Sequence, residues 1–248
     1  LLAEYAQEQR VFVPIETIPE LLILAFVAAE DKNFYSHRGV DFQGIARAII
    51  QNLINLSSGH RLIGASTITQ QVAKNFLLTN EVSLDRKIRE AILAVRIERA
   101  LSKERILELY LNEIFLGQRS YGVAAAAINY FDKSLDSLDL AQIAFLAGLP
   151  KAPNTYHPER NMAAALGRRS YVLGRMFEDN YIDKEELESA KGAHIKLSPR
   201  NPSEIVAAPF FAEEVRREID AKYGRDALYK GGLSVRTTLD PNLQQLGI

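Results

Sequence analysis

Residues 83–117, SLDRKIREAILAVRIERALSKERILELYLNEIFLG, decide the fold class. Ser83 and Ser102 each stand where an N-cap belongs, ahead of a run of helix-favouring residues. The first run predicts a helix to about Leu101 and the second a helix through Leu116, with Gly117 as a natural stop. Helices joined this tightly leave no room for a strand between them.

Working outward, the pattern repeats. Val11 to Ile15 reads as short and extended, with Pro14 barring a central strand, and Pro19 opens an apolar helix through about Asp31. Arg38-Gly39 closes that unit. From Phe42 to Leu56, helical projection puts Phe42, Ile45, Ala46, Ile49, Leu53 and Leu56 on one stripe, opposite Gly44, Arg47, Gln51 and Asn55. That stripe either faces a lipid interface or packs inside. Ser57-Ser58-Gly59-His60 breaks the helix, and another follows to about Leu78 with Ser66 or Thr67 as its cap.

Downstream, an alanine-rich helix follows Tyr121. Ser137 to Leu149, His157 to Asn180, Asp183 to Ala193 and Ala207 to Tyr223 continue the pattern around Pro150, Pro153 and Pro158. Only Leu233, Val235, Thr237 and Leu239, alternating with Ser234, Arg236, Thr238 and Asp240, carry a period-two strand signal. The body is mainly α.

Composition narrows the function classes. The 248 residues are 47% hydrophobic and 25% charged, ordinary for a globular chain, with a formal net charge of -1. No global positive field recruits nucleic acid, so an anionic ligand has to be held locally. There is no cysteine, hence no disulfide and no thiolate metal site. The longest apolar run, Leu21 to Ala29, is far short of the roughly 20 residues that span a bilayer as a helix.

Three segments carry groups suited to chemistry. Glu30 and Asp31 follow the apolar run, so Glu30 falls near a helix C-terminus, where desolvation and the negative dipole end disfavour its ionised form. A carboxyl poised near neutrality can take or give a proton in glycosyl chemistry. In Ser66 to Phe76, projection groups Thr67, Gln70, Gln71 and Lys74 against Ile68, Val72 and Phe76. The polar side offers the donors and the point charge a sugar diphosphate needs. Arg86, Lys87 and Glu90 share a face of the next helix, which by itself is an ordinary intrahelical ion-pair pattern.

Together these segments resemble a known family. Glu30-Asp31-Lys32-Asn33-Phe34-Tyr35-Ser36-His37-Arg38-Gly39 resembles the first signature, E-D-x-x-F-x-x-H-x-G, of the peptidoglycan glycosyltransferase domain (glycosyltransferase family 51) of class A penicillin-binding proteins. Gly64-Ala65-Ser66-Thr67-Ile68-Thr69-Gln70-Gln71 with Lys74-Asn75 is similar to the second, and Arg86-Lys87-Ile88-Arg89-Glu90 to the third, R-K-x-x-E. Lys103 to Asn112, with Ile106-Leu107 and Tyr110, is similar to the fourth; Arg168 with Val172-Leu173 is similar to the fifth. The stretch Leu56 to Gly64 corresponds to a loop of varied length in that family.

The resemblance implies a lysozyme-like, two-lobed helical domain with a central cleft and a few short strands. It implies residues 1–18 as an extended segment after a missing membrane anchor, 19–225 as the glycosyltransferase domain, and 226–248 as the start of a linker toward an absent transpeptidase domain. The implied reaction polymerises lipid II into glycan strands, with inversion and release of polyprenyl pyrophosphate. Glu30 would be the general base, supported by Asp31. Ser66, Thr67, Gln70, Gln71, Lys74, Arg86, Lys87 and Arg168 would bind substrate. Glu90 would orient Lys87 or a divalent cation (Mg or Mn) at the diphosphate, and no organic cofactor is expected.

The implied partners are lipid II, the growing strand, the membrane surface, the transpeptidase domain and a moenomycin-type inhibitor, with no nucleic acid. The implied place is the outer, periplasmic face of the bacterial cytoplasmic membrane, with a transmembrane helix as anchor. Two rivals share the pattern: a lysozyme-like hydrolase or lytic transglycosylase, and a noncatalytic helical scaffold. A hydrolase cutting neutral glycosidic links has no use for Gln71, Lys74, Arg86 and Lys87 gathered for a diphosphate. Paired carboxylates speak against the scaffold. No Ser-x-x-Lys or Lys-Thr-Gly occurs, so serine acyl transfer has no machinery in this sequence.

Overall fold

A computed structural model describes residues 9–57, 66–77, 83–198, 208–230, 233, 235–240 and 243–244. Within them lie eleven α-helices and one two-stranded parallel ladder, so the chain is mainly α. In order these are β1 (Gln9–Arg10), α1 (Glu20–Glu30), α2 (Phe42–Ser57), α3 (Ile68–Leu77), α4 (Leu84–Ala100), α5 (Lys103–Glu113) and β2 (Ser120–Tyr121). There follow α6 (Val123–Phe131), α7 (Leu140–Gly148), α8 (Pro158–Glu178), α9 (Lys184–Gly192), α10 (Pro209–Tyr223) and α11 (Arg225–Lys230).

The caps behave as their chemistry requires. Ser83 Oγ accepts from Arg86 N–H and Ser102 Oγ from Arg105 N–H, opening α4 and α5. Asp139 and Asp183 form full capping boxes with Gln142 and Glu186 at the starts of α7 and α9. The second helix of the opening stretch stops at Glu113, short of the expected Leu116. Residues 114–121 instead turn back, with Gln118 and Arg119 at positive φ, so that Ser120 and Tyr121 pair with Gln9 and Arg10.

Helix α1 is the centre of the core. Leu22, Ala25, Phe26 and Val27 are fully buried, and the helix packs on α7 and α8. A second group forms where α3 packs on α4 and α5. The chain entering α1 is strapped along α5: Asn112 accepts from Val13 N–H at 2.8 Å and donates to Val13 O at 2.9 Å. Glu108 accepts from Ile15 N–H at 3.0 Å.

Helix α2 differs. Phe42, Ile49, Ile50 and Ile54 are exposed, so the apolar stripe is not packed inside among the described residues; the side chains of Leu53 and Leu56 lie outside them. Gly64, Ala65, most of the 56–64 loop and Gly231-Gly232 also lie outside the described residues. The strand expected over 233–240 is not formed among the residues described there, and Leu233 and Val235 are exposed. An alternating segment becomes a strand only when a neighbouring edge pairs with it.

Gly39 ties the two groups together. Its φ of +93° is left-handed, and an added Cβ would lie 2.7 Å from the Ala94 backbone carbonyl of α4. Gly39→Ala is therefore expected to cost about 2 kcal/mol or more and lower the melting temperature by roughly 5 °C or more. At Gly174, in α8, an added Cβ meets nothing within 4 Å. Gly174→Ala should leave stability unchanged or raise it by about 0.5–1 kcal/mol. Thermal melts of the two variants provide the check, and equal melting temperatures would refute the close-approach account.

Candidate functional site

Glu30 is the last residue of α1, with its side chain 13% exposed at a cleft of about 310 Å³. The cleft runs between the end of α1, the polar side of α2, Ser66-Thr67 and the far part of α8. Each carboxylate oxygen has one protein donor. Arg168 Nη2 donates to Oε1 at 3.0 Å, and Gln71 Nε2 donates to Oε2 at 3.1 Å. A carboxylate oxygen has lone pairs for more than one donor, so both can still accept from a group in the cleft.

Burial pushes the Glu30 carboxyl above its ordinary value of 4.5, against the opposing pull of Arg168, Gln71 and Lys151. The supports are themselves fixed. Arg168 Nε donates to Gly148 O at 3.1 Å, and its chain passes so close that a Cβ at Gly148 would lie 3.0 Å from Arg168 Cγ. Tyr110, fully buried against Phe26, directs its hydroxyl to Gln71 Oε1 at 3.4 Å, which leaves the amide nitrogen toward Glu30. Burial first, then the Glu30 and Asp31 charges, holds that phenol un-ionised and so a donor.

Asp31, one residue on, serves the scaffold. It is buried, accepts from Ile68 N–H at 2.9 Å, and takes His37 Nε2 at 2.9 Å. Gly39 N–H donates to His37 Nδ1 at 3.1 Å, which assigns the proton of the neutral ring to Nε2. Lys103 Nζ lies 4.3 Å over the Phe34 ring and donates to His37 O at 2.8 Å. The fixed positions of the first signature other than Glu30 thus join the loop after α1 to α3, α4 and α5.

Helical projection placed Thr67, Gln70, Gln71 and Lys74 on one polar face. The structure divides them. Thr67 precedes the helix, and a capping side chain folds over the helix start. Thr67 Oγ1 accepts from Gln70 N–H, Gln70 Oε1 accepts from Thr67 N–H, and Thr67 Oγ1 donates to Gly39 O at 2.7 Å. Both residues are buried; Gln71 reaches Glu30, and Lys74 is exposed one turn further on.

The third group sits on α4. Glu90 is 2% exposed and pairs with Lys87 Nζ, while Arg86 Nη1 lies 3.7 Å from its other oxygen. Lys87 Nζ also donates to Ser66 Oγ at 2.8 Å, and Ser66 lines the same cleft as Glu30. Arg86 Nε and Nη1 are buried with no hydrogen-bond partner among the described residues. Guanidinium donors without a hydrogen-bond acceptor suit an anionic oxygen. No group of three His, Asp or Glu able to hold a metal occurs among the described residues, and Glu90 is already engaged by two cations.

Sequence reasoning gave no site role to Gly148, Lys151, Tyr110, Arg47, Tyr171 or Arg175. The last two follow Arg168 at helical spacing, and that period could have found them. The others depend on how distant helices meet.

Comparison with known proteins follows the same lines. Residues 1–177 match the family model described as Transglycosylase. The chain is 55% identical over 247 residues to penicillin-binding protein 1A of Rickettsia felis, covering 99% of this chain and 31% of that protein. It is 45% identical over 245 residues to penicillin-binding protein 1A of Escherichia coli K12, covering 99% and 28%. The crystal structure of penicillin-binding protein 1A from Haemophilus influenzae is similar over 92% of this chain and 24% of that one, at 30% identity and a TM-score of 0.56. The chain thus spans about a third of the length of these curated relatives.

The raised pKa of Glu30 has a signature in stability. A carboxyl with a higher pKa folded than unfolded binds its proton more tightly in the folded state, so wild-type stability falls as pH rises from 4.5 through the raised value. Glu30→Gln lacks that slope and keeps an acceptor for Arg168. Denaturant midpoints across about pH 4 to 8 should show the variant gaining stability relative to wild type as pH increases. A pH-independent difference would contradict the burial account.

Proposed function

The chain belongs to the transglycosylase family, and on that premise we propose that it polymerises lipid II into glycan strands by inverting transfer, releasing polyprenyl pyrophosphate. The observation that carries this reading is Glu30: a buried carboxylate, gripped on both oxygens yet open to a cleft whose lining Ser66 accepts from Lys87 of the α4 group.

In this reading the acceptor sugar's hydroxyl gives its proton to Glu30 as its oxygen attacks the donor anomeric carbon. The carbon–oxygen bond to the diphosphate breaks on the opposite side, and the leaving group departs with the electron pair. Arg168 and Gln71 keep Glu30 facing the hydroxyl. The diphosphate is a competent leaving group, so it needs cations more than a strong acid. Lys87 at Ser66, Arg86 beside it on α4, and exposed Lys74 supply them. Glu90 is the orienting anion for Lys87 and Arg86. A divalent cation at the diphosphate is chemically compatible, with Glu90 itself committed to Lys87 and Arg86.

The same reading places the protein on the outer face of the bacterial cytoplasmic membrane. Among the described residues no helix is long and apolar enough to cross a membrane. The exposed stripe of α2 (Phe42, Ile49, Ile50, Ile54) and a second on α4 (Leu84, Ile88, Ile92) suit a lipid interface beside the cleft. A transpeptidase domain in the longer protein, and a moenomycin-type phosphoglycolipid as inhibitor of the cleft, belong to the same proposal.

Glu30→Gln should lower polymer formation from lipid II by about 10²–10⁴-fold while the chain stays folded, measured by glycan-strand separation on gels. Unchanged polymer formation would remove Glu30 as base. For the interface, Ile49→Glu combined with Ile50→Glu should weaken binding to anionic phospholipid vesicles in a flotation assay. Unaltered flotation would remove α2 from the interface.

A further inference from the structure

The cleft beside Glu30 continues along α8, where Tyr171 and Arg175 line it. Arg168, Tyr171 and Arg175 follow one another there at spacings of three and four, which sets them on one face. Arg168 is committed to Glu30 and Gly148 and lies over the Tyr171 ring at 4.7 Å. Tyr171 nevertheless stays 49% exposed and lines the cleft. With one ring face covered by the guanidinium, its exposure belongs to the other face and the edge.

One turn further, Arg175 also lines the cleft. Its Nη1 donates to Glu178 at 2.7 Å, but that carboxylate is 60% exposed, and Arg175 Nε is buried with no partner among the described residues. On the α2 wall stands Arg47, which makes no ion pair among the described residues. The remaining cation there, Lys32, is matched by Asp179. The far end of the cleft, about 10 Å along α8 from Arg168, therefore brings the guanidinium groups of Arg175 and Arg47 next to a partly free aromatic face, with Asp41 as the carboxylate on the α2 side.

A pyranose presents an apolar C–H face to an aromatic ring, and a guanidinium receives a carboxylate or phosphate oxygen on two donors. We propose that Tyr171 and Arg175, faced by Arg47, form a subsite for a sugar bearing an anionic substituent, seated beside Glu30 and separate from the Lys87–Arg86 group. This rests on the polymerase reading and deepens it. Lipid II carries two kinds of anion, its diphosphate and the carboxylates of its peptide. With the diphosphate of the donor assigned to α4, the peptide carboxylates of a second sugar fit the α8 end.

The test is steady-state kinetics of the full chain on lipid II. Arg175→Gln and Tyr171→Ala should each raise KM about tenfold with kcat within about twofold of wild type. Tyr171→Phe, which keeps the ring, should hold KM near wild type, and Arg175→Lys, which keeps the charge but not the fork, should fall between. A second series uses lipid II with amidated peptide carboxylates. Closure of the KM gap between wild type and Arg175→Gln identifies the carboxylates as the bound anion. A gap that persists, with inorganic pyrophosphate competing against wild type more strongly than against Arg175→Gln, supports the subsite with phosphate as its anion. Unchanged KM in both Arg175→Gln and Tyr171→Ala, while wild type polymerises, overturns the subsite alone. Failure of wild type to polymerise lipid II overturns the reading beneath it.

Discussion

One carboxylate held out of water at the C-terminal end of an apolar helix sets the terms for the rest of the site. A charge there meets both low dielectric and the negative end of the helix dipole, and either effect alone disfavours ionisation. The protein answers with a guanidinium from α8 and an amide from α3, one for each oxygen of Glu30. Both arms are held from behind, Arg168 by the Gly148 carbonyl and Gln71 by the Tyr110 hydroxyl. Helices α1, α3, α5, α7 and α8 therefore meet where they do around a single side chain.

Adjacent acidic residues divide two tasks. Glu30 points into the cleft, whereas Asp31 turns inward to cap α3 and hold His37. The two cannot be exchanged, because Asp31 holds a backbone N–H and a ring nitrogen that are themselves buried. Removing such a partner leaves donors without acceptors in the interior, which is the costly side of hydrogen bonding. The same division recurs in α3, where Thr67 and Gln70 close the helix start and Gln71 alone reaches the carboxylate.

The mainly α architecture was legible because its signals are local. Ser83 and Ser102 sit at their caps, and of the expected polar side of α2, Gly44, Arg47 and Gln51 line the cleft. The order of the signatures pointed to Glu30, Asp31, Ser66, Thr67, Gln70, Gln71, Lys74, Arg86, Lys87, Glu90 and Arg168 together, and of these Gln71 and Arg168 bond Glu30 directly. What stayed hidden depends on distance along the chain. Arg168 meets Glu30 across 138 positions and Gln71 meets it across 41, separations no periodicity encodes. The parallel pairing of Gln9-Arg10 with Ser120-Tyr121 was missed because two residues carry no pattern. The 233–240 alternation misled for the opposite reason: it describes what a segment can do beside an edge, and no edge is supplied among the described residues.

The strap of residues 9–15 along α5 carries a mechanical implication. Asn112 grips Val13 through both backbone groups, Glu108 takes Ile15, and β1 lies alongside β2. A pull on the chain at Gln9 would load these bonds together, in shear, instead of opening them singly as a zipper opens. The load would arrive on α5, whose Tyr110 stands behind Gln71. Tension arriving at Gln9, in other words, has a stiff route to the back of Glu30.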